Sequence, residues 1–88
     1  MTTEVTQVTV EELATLMKTA AGVTVDPGEL ERRADSTFAE FGLDSLGLLG
    51  IVGELENRHG RALPNDAERC KSPRAFLDLV NVALTTGA

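Results

Sequence analysis

The stretch FAEFGLDSL, residues 38–46, leads the chain from a long loop into the longest helix that the sequence predicts. The side chain of Asp44 can accept hydrogen bonds from the free N–H groups of a helix's first turn. Apolar residues then recur at helical spacing, namely Leu46, Leu49, Val52 and Leu55. We therefore expect a helix that begins at Ser45 and ends before Gly60.

Two further main helices are predicted from their start signals. Thr9 stands three residues before Glu12, the spacing of a capping box, and an apolar stripe follows over residues 10–21. Ser72 and Pro73 suit the N-cap and the first position of a last helix, which we expect to reach about residue 84.

The remaining segments are predicted as connections. The long first loop, residues 22–43, contains a mixed stretch, Glu29 to Ala34, that suits a brief helical turn, and Phe38 and Phe41 are placed to pin this loop onto the core. A second short turn is expected at residues 67–70. With a loose lead-in over residues 1–8 and a frayed tail over 85–88, the chain is predicted to be one all-α domain, residues 1–88. Its fold would be a small bundle of three main helices with one or two short helical turns.

Composition narrows the classes of function. The 88 residues include 14 acidic and 8 basic side chains, a formal charge of −6, which repels nucleic acid and anionic membrane surfaces. There is one histidine and one cysteine, so we expect no catalytic constellation, no metal site and no internal disulfide. No signal peptide or membrane anchor is recognised, which predicts a soluble, cytoplasmic protein. The short chain has no room for a separate catalytic domain, so we expect a protein that is not an enzyme.

Ser45 is the candidate functional residue. Its hydroxyl should point outward at a helix start, where a phosphodiester would lie beside free N–H groups and the positive end of the helix dipole. On the helix pattern alone, an Asp-Ser pair at a helix start is most often only a cap.

The stretch FAEFGLDSL resembles the phosphopantetheine attachment motif of acyl carrier proteins, whose core is Asp-Ser-Leu after a loop containing glycine. The resemblance extends from the first helix to Leu84, and the run from Ser72 to Asn81 looks like the discrete carriers of aromatic, type II polyketide synthases. It implies that Ser45, flanked by Asp44 and Leu46, receives a 4'-phosphopantetheine arm from coenzyme A. The arm would hold polyketide intermediates as thioesters.

The resemblance also implies partners for a monomeric carrier. These are a phosphopantetheinyl transferase, a ketosynthase with its chain-length factor, a malonyl transferase, a ketoreductase and cyclases. Leu43, Glu54 and Glu56 are the predicted docking residues. Fatty-acid or peptidyl carriage stays open as an alternative, and so does a small helical interaction protein that has no covalent arm.

The predicted central helix contains three glycines, two of which, Gly47 and Gly50, stand where members of the family commonly carry acidic residues. Gly47, Gly50 and Gly53 follow one another at three-residue steps, and each costs about 0.5–1 kcal/mol relative to alanine in a helix interior. Two interpretations remain open. The glycines either allow close packing against another helix, or they loosen the helix so that it adapts to cargo and partners.

Overall fold

The computed structural model describes residues 7–86, and the regular secondary structure in that range is helical, with no strand. The four α-helices are α1 (Val10–Ala21), α2 (Pro27–Arg32), α3 (Ser45–His59) and α4 (Pro73–Thr86). Two 3-10 turns, Phe38–Phe41 and Asn65–Arg69, are called the first and second turn below. The predicted bundle of three main helices is confirmed as α1, α3 and α4, and α2 is the short helix expected within the long first loop.

The ends of α1 follow the predicted signals with one difference. Thr9 Oγ1 accepts the Glu12 N–H at 3.1 Å, and Gly22 ends the helix with a left-handed φ of 73°. The carboxylate of Glu12 does not complete a capping box, because it instead accepts from Arg58 Nη1 at 3.4 Å. That ion pair links α1 to α3.

Two boundary predictions need correction. α4 continues to Thr86, two residues past its expected end. In its last turn, Thr85 Oγ1 donates to the Asn81 carbonyl at 2.8 Å. Residues 85 and 86 therefore belong to the helix and are not a frayed tail. Val8 is buried rather than loose, because the Asn81 side chain hydrogen-bonds both its N–H and its carbonyl. Residues 1–6 of the expected lead-in and residues 87–88 of the tail lie outside the described residues.

The core is mainly aliphatic and is closed by one aromatic pair. Phe38 and Phe76 are both buried and meet edge to face, with ring centroids 5.9 Å apart at 82°. Phe41 is only partly buried, and the Arg33 guanidinium lies 4.7 Å from its ring centroid. The prediction that both rings pin the loop is therefore confirmed for Phe38, and Phe41 packs at the core's edge.

The loop that precedes Ser45 is fastened to the start of α4. Phe38 N donates to the Lys71 carbonyl at 2.7 Å, and Arg74 N donates to the Ala34 carbonyl at 2.9 Å. The Arg74 side chain also pairs with Asp35 at 2.6 Å. These contacts hold the first turn against residues 71–74, so the chain enters α3 from a fixed direction.

Candidate functional site

Ser45 is the first residue of α3, and its side chain is exposed. Gly42 adopts a left-handed φ of 86° and ends the first turn, after which Asp44 is extended and caps α3. The Asp44 carboxylate accepts the Gly47 N–H at 2.7 Å, as the sequence predicted. Within residues 7–86 the Ser45 hydroxyl has no hydrogen-bond partner, so its oxygen is free to react.

A groove of about 460 Å³ opens beside Ser45, between the start of α3 and the second turn. Its floor is apolar and is formed by the buried side chains of Phe38, Leu43 and Leu48. Residues 68–71 form the opposite rim. A group attached to Ser45 would therefore start at the mouth of a preformed apolar groove.

Leu43 is not available for docking, because it is only 3% exposed and belongs to the core. The prediction that its side chain meets partners is corrected on this ground. Two other leucines of the α3 pattern lie on the surface instead, Leu46 at 74% and Leu49 at 44% exposure. Both belong to the apolar pattern that predicted α3, yet their side chains lie on its exposed side.

The two predicted docking glutamates differ in what they contact. Glu54 is exposed and pairs with Arg58 one turn later at 3.4 Å, which leaves its carboxylate at the surface. Glu56 is partly buried, and its carboxylate accepts the Leu63 N–H at 2.9 Å, so it fixes the loop after α3. Glu54 is thus better placed to meet a partner.

The three glycines of α3 do not share one environment. An added Cβ on Gly47 would lie 2.7 Å from Leu43 Cδ1 and 3.0 Å from Ala21 Cβ, so a side chain there would require Leu43 and the end of α1 to shift. At Gly50 the added Cβ would lie 3.4 Å from the Ala20 carbonyl oxygen, an ordinary contact. At Gly53 it would meet nothing within 4 Å. Of the three positions, close packing therefore accounts for the presence of glycine only at position 47.

Cys70 and His59 do not assemble a reactive site with Ser45. Burial, and then the nearby Asp66 carboxylate, raise the pKa of the Cys70 thiol, which keeps it protonated and weakly nucleophilic. His59 ends α3, and its Nε2 is buried with no hydrogen-bond partner within the described residues. Among residues 7–86 no cluster of His, Cys, Asp and Glu could hold a metal ion.

The arrangement at Ser45 suits attachment of a phosphate-linked group. The hydroxyl is exposed and unpaired, it sits at a helix N-terminus, and the adjoining groove gives an attached chain an apolar surface. Among residues 7–86, no side chain hydrogen-bonds the Ser45 hydroxyl as an activating base would.

Comparison with known proteins agrees with this geometry. A family model described as a phosphopantetheine attachment site matches residues 11–80, a range that includes Ser45. The chain is similar to the curamycin polyketide synthase acyl carrier protein of Streptomyces cyaneus, with 78% identity over 88 residues, an alignment that covers 100% of both chains. It is also 38% identical over 84 residues to the oxytetracycline polyketide synthase acyl carrier protein of Streptomyces rimosus, across 91% of this chain and 85% of the other.

The fold has a solved relative as well. The solution structure of oxytetracycline acyl carrier protein superposes with a TM-score of 0.75 and 34% identity, covering 96% of this chain and 90% of that one. The named relatives are acyl carrier proteins, and the family model that matches this chain describes a phosphopantetheine attachment site. The chain belongs to the acyl carrier proteins, the family that bears a phosphopantetheine attachment site.

Proposed function

We propose that Ser45 is the residue that carries the 4'-phosphopantetheine arm, and that the protein holds polyketide intermediates on it as thioesters. The observation that carries this proposal is the exposed, unpaired Ser45 hydroxyl at the start of α3, beside the groove. The chain's other two serines, Ser36 and Ser72, are not part of a Leu-Asp-Ser-Leu sequence. Ser72 is also engaged as a helix cap, because its side chain accepts the Ala75 N–H at 3.2 Å.

The residues around Ser45 fit such an arm. Asp44 fixes the first turn of α3, and the exposed Leu46 lies directly after the attachment point. When bound, the arm supplies a thiol on a flexible chain, and the protein's own part is to position that chain and present it. A tethered cargo meets each partner at a high effective concentration, which suits passage among several active sites.

The proposed partners are the enzymes of a type II polyketide synthase. They comprise a phosphopantetheinyl transferase, a ketosynthase with its chain-length factor, a malonyl transferase, a ketoreductase and cyclases. Leu46 and Leu49 offer an apolar contact surface on α3, and Glu54 adds charge one turn beyond. The net charge of −6 favours partners with basic patches and raises encounter rates more than final affinity.

Polyketide carriage is preferred over the fatty-acid alternative because of identity to the polyketide synthase carriers named above, which reaches 78% over the whole chain. No helix within residues 7–86 is long and apolar enough to cross a membrane. A cytoplasmic site of action, where coenzyme A and the transferase are found, is part of this proposal.

Reconstitution tests the proposed function. A phosphopantetheinyl transferase first loads the protein with phosphopantetheine from coenzyme A, and the arm is then malonylated. One sample is mixed with an aromatic polyketide ketosynthase and its chain-length factor, and a second sample with a fatty-acid ketosynthase. We expect chain extension with the polyketide pair, and none with Ser45→Ala. Faster extension with the fatty-acid ketosynthase would favour the alternative carrier function.

A further inference from the structure

The side chain of Arg33 joins α2 to the first turn. Arg33 caps α2, where its N–H donates to the Glu29 carbonyl at 2.9 Å, and its Nη1 pairs with the Glu29 carboxylate at 3.0 Å. Its Nη2 reaches the Glu40 carboxylate at 3.5 Å, and its Cζ lies 4.7 Å from the centroid of the Phe41 ring. One cation thus contacts both α2 and two consecutive residues of the first turn.

Arg33 contacts the part of the first turn that the core holds least. Phe38, which begins the turn, is buried, and Leu43, two residues past its end, is buried as well. Between these two anchors, residues 39–42 are exposed or only partly buried. Arg33 therefore adds a restraint where burial supplies little.

The restrained segment leads directly to Ser45. Gly42 follows Phe41 and turns the chain with its left-handed φ of 86°, and Asp44 is extended and caps α3. The connection from Phe41 to Ser45 is short, and its residues have defined conformations. A displacement of the Phe41 backbone would therefore be passed to the start of α3.

A transferase that modifies Ser45 needs the hydroxyl in a defined position. In that reaction the Ser45 oxygen bonds to the pantetheine phosphate of coenzyme A, the adenosine bisphosphate leaves, and one proton is released. Because the reacting atoms must be aligned, only carrier molecules with the competent arrangement of the first turn and α3 take part. We propose that Arg33 is a positioning residue for this modification and that it acts through Glu40 and Phe41, without touching the hydroxyl or the coenzyme.

This inference rests on the proposed attachment at Ser45 and adds a residue that sets its efficiency. Exposed ion pairs and cation–π contacts are individually weak, and the core still holds Phe38 and Leu43. Loss of the Arg33 contacts should therefore change the modification several-fold and not abolish it.

The test measures how the full-length apo protein is modified by a broad-specificity phosphopantetheinyl transferase with coenzyme A, and intact mass reports the product. The variants are Arg33→Gln, Glu40→Gln and the two changes together. Arg32→Gln is the matched control, because Arg32 is the preceding residue, is exposed and makes no ion pair within residues 7–86. Circular dichroism establishes that every variant is folded at the assay temperature.

We expect Arg33→Gln to raise the KM for the carrier several-fold with little change in kcat, because fewer free molecules have the competent arrangement. Arg32→Gln, which removes the same charge, should keep the wild-type KM. Glu40→Gln should raise KM as well, and the double variant should be no worse than Arg33→Gln, since residues that act through one contact are not additive. The NMR shifts of the Gly42 and Ser45 amides should move in Arg33→Gln and stay in Arg32→Gln.

Two results would overturn the inference while leaving attachment at Ser45 intact. One is an unchanged KM in Arg33→Gln, or an equal rise in Arg32→Gln, which would assign the effect to charge alone. The other is a double variant whose effect is the product of the single effects, because Arg33 and Glu40 would then meet the transferase independently. A wild type that gains no mass would remove the proposed attachment itself, and this inference with it.

Discussion

The backbone N–H of Gly47 donates to the Asp44 carboxylate at 2.7 Å, and Ser45 lies inside the turn that this hydrogen bond closes. Gly47 also faces Ala21 at the end of α1, where an added Cβ would lie only 3.0 Å from Ala21 Cβ, tighter than an ordinary contact. One glycine thus sets both the cap of α3 and the approach of α1. The presentation of Ser45 depends on this packing.

Replacing Gly47 with alanine should destabilise the fold by about 1–3 kcal/mol, the usual cost of an added methyl group in a tight site. The new Cβ would lie 3.0 Å from Ala21 Cβ, and the Leu43 side chain, at 2.7 Å, is itself buried and has little space to move. Gly53→Ala is the matched control. Its Cβ meets open space, so it should stabilise α3 by about 0.5–1 kcal/mol.

Urea unfolding of the two variants measures both effects. A gain in stability from Gly47→Ala would show that α1 and α3 are not held at the observed distance. It would instead support the interpretation that the glycine loosens the helix.

Phe38→Ala should cost about 3–5 kcal/mol of unfolding free energy, because the ring is buried edge to face against Phe76. Phe41→Ala should cost clearly less, since its ring is only partly buried and contacts Arg33 at the surface. Thermal unfolding followed by circular dichroism compares the two. Equal losses would mean that Phe41 is as much a core residue as Phe38.

The side-chain amide of Asn81 pairs with the backbone of Val8, where Oδ1 accepts the N–H at 2.6 Å and Nδ2 donates to the carbonyl at 3.1 Å. Asn81→Ala leaves these buried backbone groups without partners and should cost about 1–3 kcal/mol. Hydrogen exchange of the Val8 amide should accelerate at the same time. Asn57→Ala, at an exposed position of α3, should change neither property. Unaltered Val8 exchange in Asn81→Ala would contradict the pairing.

Cys70 should react slowly with iodoacetamide near neutral pH. Burial and the Asp66 carboxylate raise the thiol pKa, so less of the reactive thiolate is present at a given pH than in an unfolded chain. The rate should therefore rise toward the unfolded rate only as the solution becomes more alkaline. Asp66→Asn should move the rate profile to lower pH. A folded thiol that titrates like the unfolded one would refute this account.

Local signals in the sequence were sufficient to predict most of the fold. Thr9, Asp44 and Ser72 each accept the N–H three residues on, as helix caps do, and these contacts lie within one turn of sequence. Ser45 was identified by its motif, because no periodic pattern separates an attachment serine from an ordinary cap residue.

Contacts between distant residues were not predictable from these patterns. Leu43 and Leu46 are both apolar residues beside the cap, and it is tertiary packing, which no local pattern contains, that leaves the first 3% and the second 74% exposed. The Asn81–Val8 pair spans 73 residues, so no local pattern contains it. The groove likewise forms where the second turn meets the start of α3, and these two segments are separated in the chain by the rest of α3 and the loop that follows it.

Intact mass after incubation with coenzyme A and a broad-specificity phosphopantetheinyl transferase tests the central claim most directly. The wild type and Ser36→Ala should each gain the mass of one phosphopantetheine, and Ser45→Ala should remain folded and gain none. Modification of Ser45→Ala, or a wild type that is never modified while a known carrier in the same reaction is, would contradict the assignment of Ser45 as the attachment residue.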